Sequence, residues 1–204
     1  MSKITSTQLH LGEAGTAGSS TAAEGQIWVK SDTPSSLYYT DDAGTDFKIG
    51  WTVTAEVATT SGNSVAVTGL PAGIRNIAVF LQDVSSNGTN EWALQVSTGT
   101  TFATSGYKAV SWDGDNADGR TTGLMLTYGV SAAETRDGVI RMSLADVANN
   151  TWVSGGLLNQ GSSSSLMNGN SGTISLSGAI DGVRIICIGG SNTFDAGSIN
   201  VMYQ

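Results

Sequence analysis

The sequence predicts an all-β protein: an antiparallel β-sandwich, jelly-roll-like, preceded by a small three-stranded β module. Three observations carry this expectation. β-favouring runs recur about every ten residues from Trp51 onward, which is the spacing of a sandwich or barrel. Only 13% of the residues are charged while 27 are glycine, so Ser, Thr, Asn and Gly must cover the strand faces and form the turns. Finally, no stretch has a helical period of useful length. The best helix candidate, Ser131 to Arg136, has a capping serine with Glu134 three positions on but is one turn long, and it reads as a loop with at most a helical turn.

Residues 1–23 are small and polar without periodicity and are expected to form a flexible N-terminal attachment segment. Residues 24–50 form the β module. Gln26 to Lys30 alternates in character, Leu37 to Tyr39 is a second β-favouring cluster and Phe47 to Ile49 a third. Ser31 to Ser36 supplies turn formers, with Pro34 biasing Thr33 toward extended backbone, and Asp41-Asp42-Ala43-Gly44 supplies the second turn. Such a module is too small to bury a core alone, so it needs a surface to lean on.

Residues 51–204 are expected to form the sandwich. Strands are predicted near Trp51 to Thr59, Ser64 to Thr68, Arg75 to Val84, Trp92 to Ser97, Tyr107 to Trp112, Gly123 to Tyr128, Val139 to Leu144, Asn150 to Gly155, Gly172 to Ser177, Val183 to Ile188 and Ser198 to Met202. Asn87-Gly88, Asp137-Gly138, Asp181-Gly182 and Asp195-Ala196-Gly197 are read as chain reversals between them.

Composition excludes several functions. The net charge is −8 and the nine basic residues are scattered, which argues against a nucleic-acid partner. No run approaches the roughly 18 to 20 apolar residues of a membrane span, and no signal-peptide pattern opens the chain, so membrane insertion and classical secretion are not expected. The one histidine, His10, lies in the N-terminal segment, leaving no base for a serine triad and too few ligands for zinc. Cys187 is the one cysteine. It sits in an apolar strand and is expected to be an inert, buried thiol. No cofactor, catalytic residue or metal ligand is assigned.

A candidate ligand-binding stretch remains at Trp112, Asp113, Asp115, Asn116 and Asp118. Carboxylates and an amide beside an exposed tryptophan suit a sugar, and two carboxylates across a sugar would suit a glycosidase, for which Glu134 and Asp137 are further acidic candidates. The plainer reading is a solvated acidic hairpin loop. The stretch superficially resembles a calcium loop; counting from Asp113 puts Asp118 where an EF-hand needs glycine, so only a calcium site of another kind stays open beside the acidic-loop reading. Of the five tryptophans, Trp92 and Trp152 are expected in the core and Trp112 at the surface.

The stretch from Glu24 to Ile49, containing GQIWVKSDTP and LYYTDDAGTDFKI, closely resembles a small module that recurs in tailed-bacteriophage virion proteins. Leu70 to Arg75, Val84 to Thr89, Thr151 to Gly155, Asp181 to Ile185 and Asn192 to Asn200 together look like a C-terminal β domain of phage tail or other virion structural proteins. The resemblance implies a non-enzymatic virion protein assembled in the host cytoplasm, a short tail fibre or receptor-binding appendage. It also implies contacts with other virion proteins through the N-terminal region, a homotrimer and a host-surface glycan as receptor. A capsid decoration or head-fibre protein is the alternative, and a carbohydrate-binding or carbohydrate-active module a further one. The resemblance carries over no catalytic or ligand residue.

Overall fold

The computed structural model describes residues 12–18, 24–31, 33–132, 134–161 and 167–204. His10 and most of the expected attachment segment lie outside the described residues, as do Asp32 and Ala133. The chain divides into two units, Met1–Thr52 and Val53–Gln204, and among the described residues it is all-β, with no helix.

In the first unit, β2 (Gln26–Lys30), β3 (Ser36–Thr40) and β4 (Asp46–Lys48) form the antiparallel sheet that the sequence predicts. Asp41 closes the β3–β4 turn, its carboxylate accepting the Thr45 N–H at 2.8 Å and its carbonyl the Gly44 N–H at 3.1 Å. A fourth strand, β1 (Glu13–Ala14), pairs parallel to β2, and Ser31 N–H donates to the Ala14 carbonyl at 3.0 Å. The sequence placed this pair in the flexible segment. Backbone pairing at a sheet edge asks for no side-chain pattern, so nothing in the residue types announced it. Trp28 is buried on one face of this sheet, stacked on Tyr38 with centroids 5.2 Å apart. Its Nε1–H donates to Thr40 Oγ1 at 2.8 Å, and that hydroxyl donates to Asp46 at 2.5 Å.

The second unit is a sandwich of two antiparallel sheets. The smaller runs β10 (Thr101–Phe102), β9 (Trp92–Thr98), β17 (Gly182–Cys187), β7 (Ser64–Thr68), with β13 (Leu124–Met125) also on β9. The larger runs β12 (Ala117–Arg120), β11 (Lys108–Trp112), β16 (Met167–Ser175), β15 (Thr151–Asn159), β14 (Arg136–Asp146), β8 (Asn76–Ser86), β18 (Phe194–Tyr203), β5 (Thr52–Val53), with β6 (Val57–Ala58) also on β18. The two inner faces interdigitate as one apolar cluster. Val65, Leu94, Val96, Val183 and Ile185 come from the smaller sheet, and Val79, Leu81, Ile140, Trp152 and Val201 from the larger.

Trp92 and Trp152 are fully buried, as expected. Trp92 bridges the sheets. Its ring meets Phe194 of β18 edge-on at 5.4 Å, and its Nε1–H donates to Ser86 Oγ of β8 at 3.2 Å. Burying an indole removes roughly 200 Å² from water, an upper bound of about 5 kcal/mol and comparable with the whole stability of a small domain.

Several sequence expectations need correction. Of the stretch from Ser131 to Arg136 that is read as a loop, Arg136 already belongs to β14. The expected strand at Trp51 to Thr59 is two short pieces, β5 and β6, and that at Gly123 to Tyr128 shrinks to β13. Asp137-Gly138 and Asp195-Ala196-Gly197 are not chain reversals. Both are register shifts inside long strands, facing the same region of β8, where Asp83 has φ 51° and its N–H donates to the Asp137 carboxylate at 2.7 Å. Such bulges use the same residue types as turns, which is why they read alike in sequence. Gly197 is required there. Its φ is +86°, and a Cβ on it would lie 2.4 Å from the Asp83 carbonyl carbon.

Cys187 is buried, and burial pushes its thiol from 9.0 up to about 11; the buried phenol of Tyr107 likewise rises from 10.0 to about 12. Both groups hold their protons in the folded chain beyond the pH at which they lose them when unfolded. Their contribution is therefore complete below pH 9.0 and is lost as pH rises toward 12. The urea midpoint should fall across this alkaline window, and Cys187 should react with an aromatic disulfide reagent only on unfolding. A midpoint flat through the window, or a fast native reaction, would contradict this packing.

Candidate functional site

The expected ligand-binding stretch forms the tip of the β11–β12 hairpin. Trp112 pairs with Ala117 and Ser111 with Asp118, and alternation along the strands sends these two pairs to opposite faces. Trp112 therefore lies on the outer face of the larger sheet, where it is 48% exposed. Asp118 lies on the other side, 2.5 Å from Arg120, which also reaches Glu91 at 3.4 Å. Partial burial is the main cause that raises the Glu91 carboxyl above its ordinary value, with Arg120 opposing and Asp118 adding to the rise.

Asp113 organises its own turn, its carboxylate accepting the Asp115 N–H at 3.1 Å and the Asn116 N–H at 2.9 Å. Asp115 and Asn116 are exposed at the tip. The five residues thus do not converge. Trp112, Asp113, Asp115 and Asn116 share the tip, while Asp118 is held away by Arg120. Among the described residues, no group of three or more His, Cys, Asp or Glu side chains is placed to hold a metal ion.

The surface around Trp112 is what residue counting missed. Trp112 pairs with Gly169 and Gly169 with Leu157, which in turn pairs with Val139, so these four form a row across the sheet. A Cβ on Gly169 would sit 2.4 Å from Cε2 and Nε1 of Trp112, so the indole lies directly over the glycine backbone. Leu157, Val153, Val110 and Met167 are also exposed on this face, bounded by Ser171, Thr173 and Arg141. An open depression of ≈ 550 Å³ adjoins it, lined by Lys108, Val110, Val153 and Thr173 among others. The signal was available in the odd-numbered positions of Val153 to Leu157 and Met167 to Thr173. It could be read only once the pairing fixed which positions face outward.

The opposite, inner face has a polar end. Arg136 is fully buried, 3.3 Å from Glu134, with Gly129 and Thr135 carbonyls accepting from its guanidinium at 3.4 and 3.2 Å. Burial lowers its pKa and the Glu134 carboxylate opposes that shift. Asn168 donates to the Tyr128 carbonyl at 3.0 Å. Arg136 Nε, Asn168 Oδ1 and both amide atoms of Asn170 have no protein hydrogen-bond partner among the described residues. Such groups are costly to bury alone, and this end of the core is correspondingly its least satisfied region.

Comparison of the chain with protein-family models, with curated proteins and with solved structures found no match.

The indole's seat on Gly169 makes a direct prediction. Gly169→Ala should displace the Trp112 ring and change its emission and acrylamide quenching, while costing about 1 kcal/mol or less because the atoms a Cβ would meet belong to an exposed side chain free to swing outward. An unchanged quenching profile in that variant, with Trp112→Phe as the reference for the Trp112 share, would contradict the stacked geometry.

Proposed function

We propose that this chain is a non-enzymatic structural protein of a tailed-bacteriophage virion, most simply a short tail fibre or receptor-binding appendage, assembled in the host cytoplasm. The observation that carries the reading is the β2–β4 sheet. It coincides with the stretch whose sequence resembles the recurrent virion module, and it presents Ile27, Leu37, Tyr39, Phe47 and Ile49 to solvent. A sheet this small has little stability alone, and attachment to other virion proteins gives its apolar face a partner. A homo-oligomer fits the same need, with the trimer being the copy number that the resemblance implies.

The hairpin carboxylates support a non-enzymatic role, since Asp113 holds its own turn and Asp118 is neutralised by Arg120. The exposed Trp112 favours recognition of a host-surface glycan, because a rigid aromatic on a flat, hydroxyl-bordered sheet can stack against a sugar ring. In this reading binding belongs to the outer face of the large sheet and attachment to the N-terminal unit.

Cryo-electron microscopy of a particle containing the chain tests the assignment. Density at the tail is expected, with the β-sandwich directed outward. Density on the capsid lattice would overturn the tail reading in favour of a decoration or head-fibre protein. Cleavage of a bacterial polysaccharide by the purified chain would overturn the non-enzymatic reading.

A further inference from the structure

Two asparagines of β16 carry more hydrogen-bonding capacity than the protein around them meets. Asn168 pairs with Leu158, and Asn170 with Gly156, which pairs in turn with Ile140. Leu158 and Ile140 are fully buried, so both asparagines lie on the inner face, where Asn168 is 0% and Asn170 7% exposed. Asn168 Nδ2–H donates to the Tyr128 carbonyl at 3.0 Å. Its Oδ1, and both amide atoms of Asn170, have no protein partner among the described residues. Turning either amide over does not help. A turned Asn168 would set its oxygen against the Tyr128 oxygen, and Asn170 lacks a partner in both orientations.

We propose that an internal water molecule occupies a fixed site between these two amides and is a structural component of the sandwich. Residues two apart on one strand face are separated by about 6.6 Å. One water covers that span with two hydrogen bonds of about 2.8 Å each. Asn170 is flanked on the inner face by Ser111 and Gly156, whereas the same row continues through Ile140 and Val79. Its two cross-strand neighbours are thus the smallest side chains of the row. The Ser111 hydroxyl is turned to the Gly169 carbonyl, to which it donates at 3.2 Å.

The unpartnered atoms select water over an ion. Water donates to Asn168 Oδ1 and then either accepts from Asn170 Nδ2 or donates to Asn170 Oδ1, so it completes the pair in both orientations of that amide. Two such bonds are enough to hold a buried water. A cation would share this end of the core with the Arg136 guanidinium, which donates to the Gly129 carbonyl beside that of Tyr128. An anion would face the amide oxygens, and the charge of Arg136 is already met by Glu134 at 3.3 Å. The site is independent of the virion reading.

A high-resolution crystal structure of the full chain is the direct test. A water peak within hydrogen-bond distance of both Asn168 Oδ1 and the Asn170 amide is expected. Amides bonded directly to each other or to protein groups, or a peak whose density and distances fit an ion, would overturn the site. Oxygen-17 magnetic relaxation dispersion of the solvent reads the same water in solution. Asn170→Val should lose at least one water that resides longer than nanoseconds while circular dichroism stays native, and Asn170→Ser, which keeps a hydroxyl, should retain it. Equal dispersion in the unaltered chain and in a folded Asn170→Val variant would also overturn the proposal. Should that variant fail to fold, the density in the unaltered chain decides.

Discussion

The sandwich depends on Trp92. It belongs to the smaller sheet, pairing with Cys187 of β17, yet its ring and its N–H both reach the larger one, at Phe194 and Ser86. Its backbone fixes a third piece of chain, with Leu126 N–H donating to the Trp92 carbonyl at 2.9 Å and Trp92 N–H to Thr127 Oγ1 at 2.8 Å. The segment so placed supplies the Tyr128 and Gly129 carbonyls that receive Asn168 and Arg136. One side chain therefore sets the sheet spacing, and through its main chain it positions the partners of the buried polar residues.

The acidic excess has a local explanation. Most of the aspartates in the second unit act as acceptors for nearby donors. Asp113 and Asp146 each hold two backbone N–H groups of their own turns, Asp137 holds that of Asp83, and Asp181 accepts from Ser97 and from the Thr100 N–H. The Ser97 hydroxyl first, and then the Thr100 amide, keep the Asp181 carboxyl below its ordinary value. At turns, where backbone N–H groups have no strand partner, carboxylates perform that task. Part of the acidic excess thus serves the construction of turns and bulges.

Much of the fold was legible in sequence. The recurring β-favouring runs found β7, β9, β11, β17 and β18, and the buried places of Trp92, Trp152 and Cys187 followed from their strands. The same residue types failed where geometry decides between two outcomes. Asp-Gly marks a reversal at a strand end and a bulge within a strand, and Asp137-Gly138 is the latter because β14 has partners on both sides. The candidate site was half legible. Trp112 was placed at the surface correctly, but residue spacing set Asp118 beside it, whereas the hairpin register turns it to the other face. The exposed row through Gly169 and Leu157 had no linear signature at all, because its members come from strands joined only by pairing.

The order of strands also constrains how the chain is made. β8 lies inside the larger sheet, between β14 and β18, and β18 in turn lies between β8 and the short strands β5 and β6. A ribosome delivers β5, β6 and β8 early and β18 last among them, so the nascent chain must hold these unpaired edges apart until the final strand arrives. β7 waits similarly for β17. Synthesis from the N-terminus therefore leaves both sheets incomplete until β17 and β18 have emerged, and until then the open edges of β7 and β8 are the segments that holding chaperones would shield.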